Sequence, residues 1–143
     1  MVESREIRQQ ELARFLLQKA RQDLALVINV GDAEAVTDEI VGFHVQQAVE
    51  KAIKAVLTCL GIQYEYTHDL SLLYQQVKNA RGNPPADLDT VEELTGFAVQ
   101  FRYTLYEEQS FNREAGAQLA GRFIDWAHAL IESPGGGLKG RVS

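Results

Sequence analysis

The stretch Thr37-Asp38-Glu39-Ile40-Val41-Gly42-Phe43-His44-Val45-Gln46-Gln47-Ala48-Val49-Glu50-Lys51-Ala52-Ile53-Lys54-Ala55-Val56-Leu57-Thr58-Cys59-Leu60-Gly61 decides the fold. Val41, Val45, Ala48, Ala52, Val56 and Leu60 recur at steps of three and four residues, which is one face of an α-helix. Thr37 is an N-cap residue, and Asp38 and Glu39 place negative charge on the positive end of the helix dipole. Gly61 ends the helix, because glycine enters the left-handed conformation without steric cost. Gln47, Lys51 and Lys54 mark a second, polar face. Glu50 and Lys54 form an i, i+4 ion pair in the favourable order. As a solvated surface pair it contributes only a few tenths of a kcal/mol.

Helical periodicity extends on both sides. A first helix is expected from Ser4 to Val30, with Ile7, Leu12, Phe15, Leu16, Leu24, Val27 and Ile28 on its apolar stripe and Gly31-Asp32 as its stop. A short third helix, capped by Thr67, carries Leu70, Leu73, Tyr74 and Val77 at i, i+3, i+4, i+7. The turn residues of Ala80 to Asp87 read as a loop. A fourth helix opens with the capping box Thr90-x-x-Glu93 and continues through Leu94, Ala98, Phe101 and Leu105. A fifth starts at Asn112 and carries Gly116, Leu119, Phe123, Ala127, Leu130 and Ile131. Gly96, Gly116, Ala120 and Gly121 are expected where helices four and five cross closely. No window alternates like a strand. The fold class is all-α: an antiparallel up-and-down bundle of about five helices over residues 1–132, followed by a flexible glycine-rich tail over residues 133–143.

Composition narrows the function classes. The chain has 143 residues, 45% of them hydrophobic and 24% charged, a net charge of −6 and one cysteine. Such a chain holds a single domain with its own core. One cysteine excludes a disulfide scaffold. No apolar run reaches the roughly 20 residues that span a bilayer, so no membrane association is expected. The start Met-Val-Glu-Ser-Arg-Glu is too charged for a signal peptide, and a cytoplasmic location is expected. The acidic balance repels a phosphate backbone, so broad nucleic-acid binding is not expected.

Motifs for common chemistries are missing. There is no phosphate-cradling glycine loop, no His-Glu-x-x-His and no Gly-x-Ser-x-Gly. The histidines His44, His68 and His128 fall in separate helical regions, and Asp125-x-x-His128 lacks the counterpart that a di-iron bundle needs. Neither metal nor cofactor is expected. Cys59 reads as a small buried hydrophobe.

Three motifs in order are more specific than any alone. Phe43-His44-Val45-Gln46-Gln47-Ala48-Val49-Glu50-Lys51-Ala52-Ile53-Lys54, then Thr67-His68-Asp69-Leu70, then Phe101-Arg102-Tyr103 resemble the HEPN domain, named for higher eukaryotes and prokaryotes nucleotide-binding. The resemblance covers roughly residues 8 to 131. It implies a helical bundle that forms a homodimer. It also implies a small protein that binds a separately encoded minimal nucleotidyltransferase, as in some toxin–antitoxin pairs, or a metal-independent ribonuclease. The ribonuclease members carry an arginine, four to six residues and a histidine. After Arg102 that window holds Glu107, Glu108 and Gln109. Without the imidazole, proton transfer to and from the scissile phosphate loses its group of near-neutral pKa.

The reading is therefore a non-catalytic module that binds a nucleoside triphosphate, a nucleotidyltransferase partner, or both. Its alternatives are a ribonuclease with a substituted catalytic set and a purely structural dimer. The candidate site is Arg102, Tyr103, Lys51, Lys54, His68, Glu50 and Gln47, with no catalytic residue assigned. Arg102 needs an anionic partner, either an external phosphate or carboxylate or, internally, Glu50. Tyr103 is placed to stack on a base. His68 stands at the positive end of the third helix. For the dimer, Phe15, Leu16, Phe123, Trp126 and Ile131 are the expected leftover apolar surface.

Overall fold

The computed structural model describes residues 2–64, 66–95 and 111–133. They form five helices: α1 Val2–Val30, α2 Asp38–Cys59, α3 Leu70–Asn79, α4 Leu88–Thr95 and α5 Arg113–Glu132. Among the described residues there is no strand, and no helix is long and apolar enough to cross a membrane. The long helices α1, α2 and α5 form the centre of the bundle, α1 antiparallel to both α2 and α5, which run parallel to each other from the Asp38–Arg113 pair, with α3 and α4 against α2.

The periodic stretch folds for the reasons its sequence gives. The Thr37 hydroxyl accepts from the Ile40 backbone N–H, and Asp38 and Glu39 lie in the first turn. One side of α2 is wholly buried, including Val41, Val45, Ala48, Val49, Ala52, Ile53 and Val56. Gly61 takes a φ of +73°, and Ile62 N–H returns to the Leu57 carbonyl at 2.9 Å, closing the helix end. Gly31, at φ +54°, closes α1 in the same manner by donating to Val27. Around α2 the core is built from Leu17 of α1, Leu73 of α3, and Leu119, Phe123 and Ile131 of α5, all essentially inaccessible.

Three expectations change. The cap of α3 is Asp69, whose carboxylate accepts from Ser71 N–H at 2.9 Å, while Thr67 accepts from Asp69 N–H two residues too early to cap. Asp87, not Thr90, opens α4: its Oδ1 accepts from Thr90 N–H at 2.8 Å. An acid directly before a helix outcompetes a nearby threonine because its charge also meets the dipole.

Among the described residues, Gly116 packs against α2 and the Phe111 ring. A Cβ there would lie 2.7 Å from the Phe111 ring and 3.1 Å from Val45, and one at Gly121 would face Leu24 of α1. Phe123 and Ile131 are fully buried, and Trp126 is half-buried with its indole N–H donating to the Gly82 carbonyl at 2.7 Å. These three hold α5 to the core and to the α3–α4 loop, and so leave no free apolar face. Phe15 does remain outside, 56% exposed, with Leu16 half-buried beside it. The stretch of the fourth helix from Gly96 through Leu105, and the tail after Ser133, lie outside the described residues.

Candidate functional site

The polar face of α2 is organised by two buried carboxylates. Glu50, on α2 itself, is 2% exposed. Its Oε2 accepts from Lys54 Nζ at 2.9 Å and from His68 Nδ1 at 2.8 Å. Its Oε1 is buried with no hydrogen-bond partner among the described residues. Asp23, one register position from the core residues Ala20 and Val27 on α1, is the second. Its Oδ1 accepts from His44 Nδ1 at 2.8 Å and its Oδ2 from Lys51 Nζ at 2.7 Å. Each carboxylate thus fixes one imidazole and one ammonium.

The chemistry of these pairs follows from which atoms are used. A carboxylate only accepts, so the ring nitrogen facing it carries the proton. Among the described residues neither Nε2 has a partner, and each can accept when neutral and donate when charged. The His68 side chain is 79% exposed, so its Nε2 faces water. His68 lines a cavity of about 410 Å³ with Gln46, Asp69, Ser71, Glu92 and Thr95. The Ser71 hydroxyl, donating at 2.7 Å, holds the Asp69 carboxyl below its ordinary value. That acid stays ionised, and with Glu92 it makes this cavity negative. Lys54 also lies over the Tyr64 ring, 5.4 Å from its centre, which fixes the lysine stem between an aromatic and an acid.

Of the expected site residues, Glu50, Lys54 and His68 are brought together in one cluster. Lys51 belongs to the neighbouring Asp23 cluster. Gln47 stands on the same α2 face, one turn from Lys51, and is half-buried. Arg102 and Tyr103 lie outside the described residues. Asp23 and His44 were not among the expected set. His44 sits in the quoted motif, but the 21 residues separating it from Asp23 hide the pair in the sequence. The available signal was Asp23 itself, an acid in the buried register of α1.

A second cleft, of about 550 Å³, lies where α2 and α5 begin. Arg113 ties it together: its guanidinium meets Asp38 at 2.7 Å and the carbonyls of Gly31 and Val36 at 2.8 and 2.6 Å. Those bonds satisfy the fork, and the cleft reads as a structural tie. No group of three potential metal ligands occurs among the described residues.

Helices packed around a central helix with an ion-paired polar face define a small all-α bundle of one recognisable class. The chain belongs to the HEPN family: the model of the HEPN domain matches residues 13–133. No curated protein and no solved structure matches the chain.

Proposed function

We propose that this chain is a non-catalytic HEPN module that pairs with a second copy of itself and binds a nucleotide, a separately encoded minimal nucleotidyltransferase, or both, as one half of a toxin–antitoxin pair. The observation that carries the reading is the α2 face, where Asp23 and Glu50 hold Lys51, Lys54, His44 and His68 in fixed positions. Fixed cations on a helix of an acidic protein suit a phosphate or a partner's carboxylate, because the ordering cost is met on folding and not on binding. Dimer formation is supported by Leu12 and Phe15, large apolar residues one turn apart on α1 and about half exposed. The empty histidine window after Arg102 supports the absence of catalysis.

One observation favours a second reading. His44 on Asp23 and His68 on Glu50 are imidazole–carboxylate pairs whose Nε2 has no partner among the described residues, the kind of group that 2′-hydroxyl attack on RNA requires. Incubation of the purified protein with RNA in chelator separates the two. Intact RNA, together with a thermal midpoint raised by nucleoside triphosphates or co-purification with a minimal nucleotidyltransferase, supports the module. Cleavage abolished by His68→Ala supports the ribonuclease. Light scattering tests the dimer, which Phe15→Glu should split.

A further inference from the structure

The two carboxylate clusters are not equivalent toward an anion. Beside Glu50 stand the orphaned Oε1 and the cavity acids Asp69 and Glu92. A phosphate approaching Lys54 or His68 meets that negative field. At Asp23 both oxygens are occupied, one by His44 and one by Lys51. The positions one helical turn away carry no acid: they include Lys19 and Leu26 on α1, and Ile40, Gln47 and Lys54 on α2. Lys19 is exposed and Lys51 is 28% exposed.

We propose that His44 and Lys51, oriented by Asp23, form the phosphate site for a nucleoside 5′-phosphate whose base lies against Phe43. This rests on the nucleotide reading above and moves its phosphate away from Lys54 and His68. His44 spends Nδ1–H on Asp23, so its Nε2–H, when the ring is charged, is the donor to the ligand. Lys51 spends one of three N–H donors and keeps two. One carboxylate fixes both heads, so neither must be ordered when the ligand arrives. Phe43 adjoins them. Its ring is 48% exposed and meets the His44 imidazole edge-on, centroids 5.3 Å apart. A half-exposed aromatic beside a phosphate anchor is a surface on which a base stacks.

Titration calorimetry on the full chain tests this with ATP and, as the phosphate alone, inorganic pyrophosphate. Lys51→Met and His44→Gln should each weaken both ligands at least tenfold, while Lys78→Met, at an exposed position on α3, changes them less than threefold. Phe43→Ala, at a position that leaves the core intact, should weaken ATP and leave pyrophosphate unchanged. This variant keeps the site testable if the Asp23 cluster proves necessary for folding. ATP binding that survives Lys51→Met and Phe43→Ala, or that is lost with Lys54→Met instead, overturns this site and leaves the nucleotide reading standing. If neither ATP nor pyrophosphate binds the wild-type chain, the nucleotide reading falls and this site with it.

Discussion

Replacing Glu50 by alanine probes the polar centre, and its cost follows from the geometry. Glu50 is 2% exposed and accepts from Lys54 and His68. Removing one member of a buried ion pair costs about 3–5 kcal/mol when the remaining charge stays buried. Two features lower that figure here. Oε1 has no partner among the described residues, and the desolvation of such an atom, about 1–3 kcal/mol, disappears with it. The exposed His68 returns to water freely. What remains is Lys54, only 14% exposed, left without its acid. The net expectation is a loss of about 2 kcal/mol, or roughly 4–8 °C in thermal midpoint for a chain of this size. Urea denaturation followed by circular dichroism measures it. In the double variant Glu50→Ala/Lys54→Met the stranded ammonium is gone, and more than half of the loss should return. A single variant within about 0.5 kcal/mol of wild type, or a double variant that is merely additive, would refute the buried pairing.

Three further outcomes follow from the fold. Asp69→Ala should cost about 1 kcal/mol through the lost cap of α3, and Thr67→Ala clearly less; equal losses in urea denaturation would return the cap to Thr67. Gly116→Ala gains up to about 1 kcal/mol of helix propensity but drives a methyl against Phe111 and Val45, so a net loss of about 1–2 kcal/mol is expected, and a stabilised variant would show that this contact can relax. Hydrogen bonds from Ser71 and Arg14 hold the Asp69 and Glu132 carboxyls below their ordinary values. Their contribution is therefore fully present above the ordinary carboxylate pKa and fades as pH falls through the lowered one. The urea midpoint should hold from neutrality to about pH 5 and then drop, less steeply in Asp69→Asn/Glu132→Gln.

The helices were legible in the sequence because their signals are local. Thr37, Gly31, Gly61 and Asn112 each do in the structure what their type suggests. Caps failed where two candidates competed within three residues, as Thr67 did with Asp69 and Thr90 with Asp87. The site was half legible. Glu50, Lys54 and His68, all named by the motifs, share one cluster, but the burial of Glu50 and Lys54 was not visible: an i, i+4 pair reads as surface until the fold covers it. Asp23 with His44 required knowing how α1 lies on α2, and no local pattern carries that. Phe123 and Ile131 read as surplus apolar surface only because the depth of the α5 contact with α2 depends on Gly116, whose neighbours come from Val45 and Phe111.

Native mass spectrometry with nucleoside triphosphates tests the central claim, a nucleotide-binding HEPN dimer, most directly, since it reads assembly and ligand together. The account predicts a species of twice the 16.0 kDa chain mass carrying intact, unhydrolysed nucleotide. A bare 16.0 kDa chain at tens of micromolar, without nucleotide at any concentration, would contradict it.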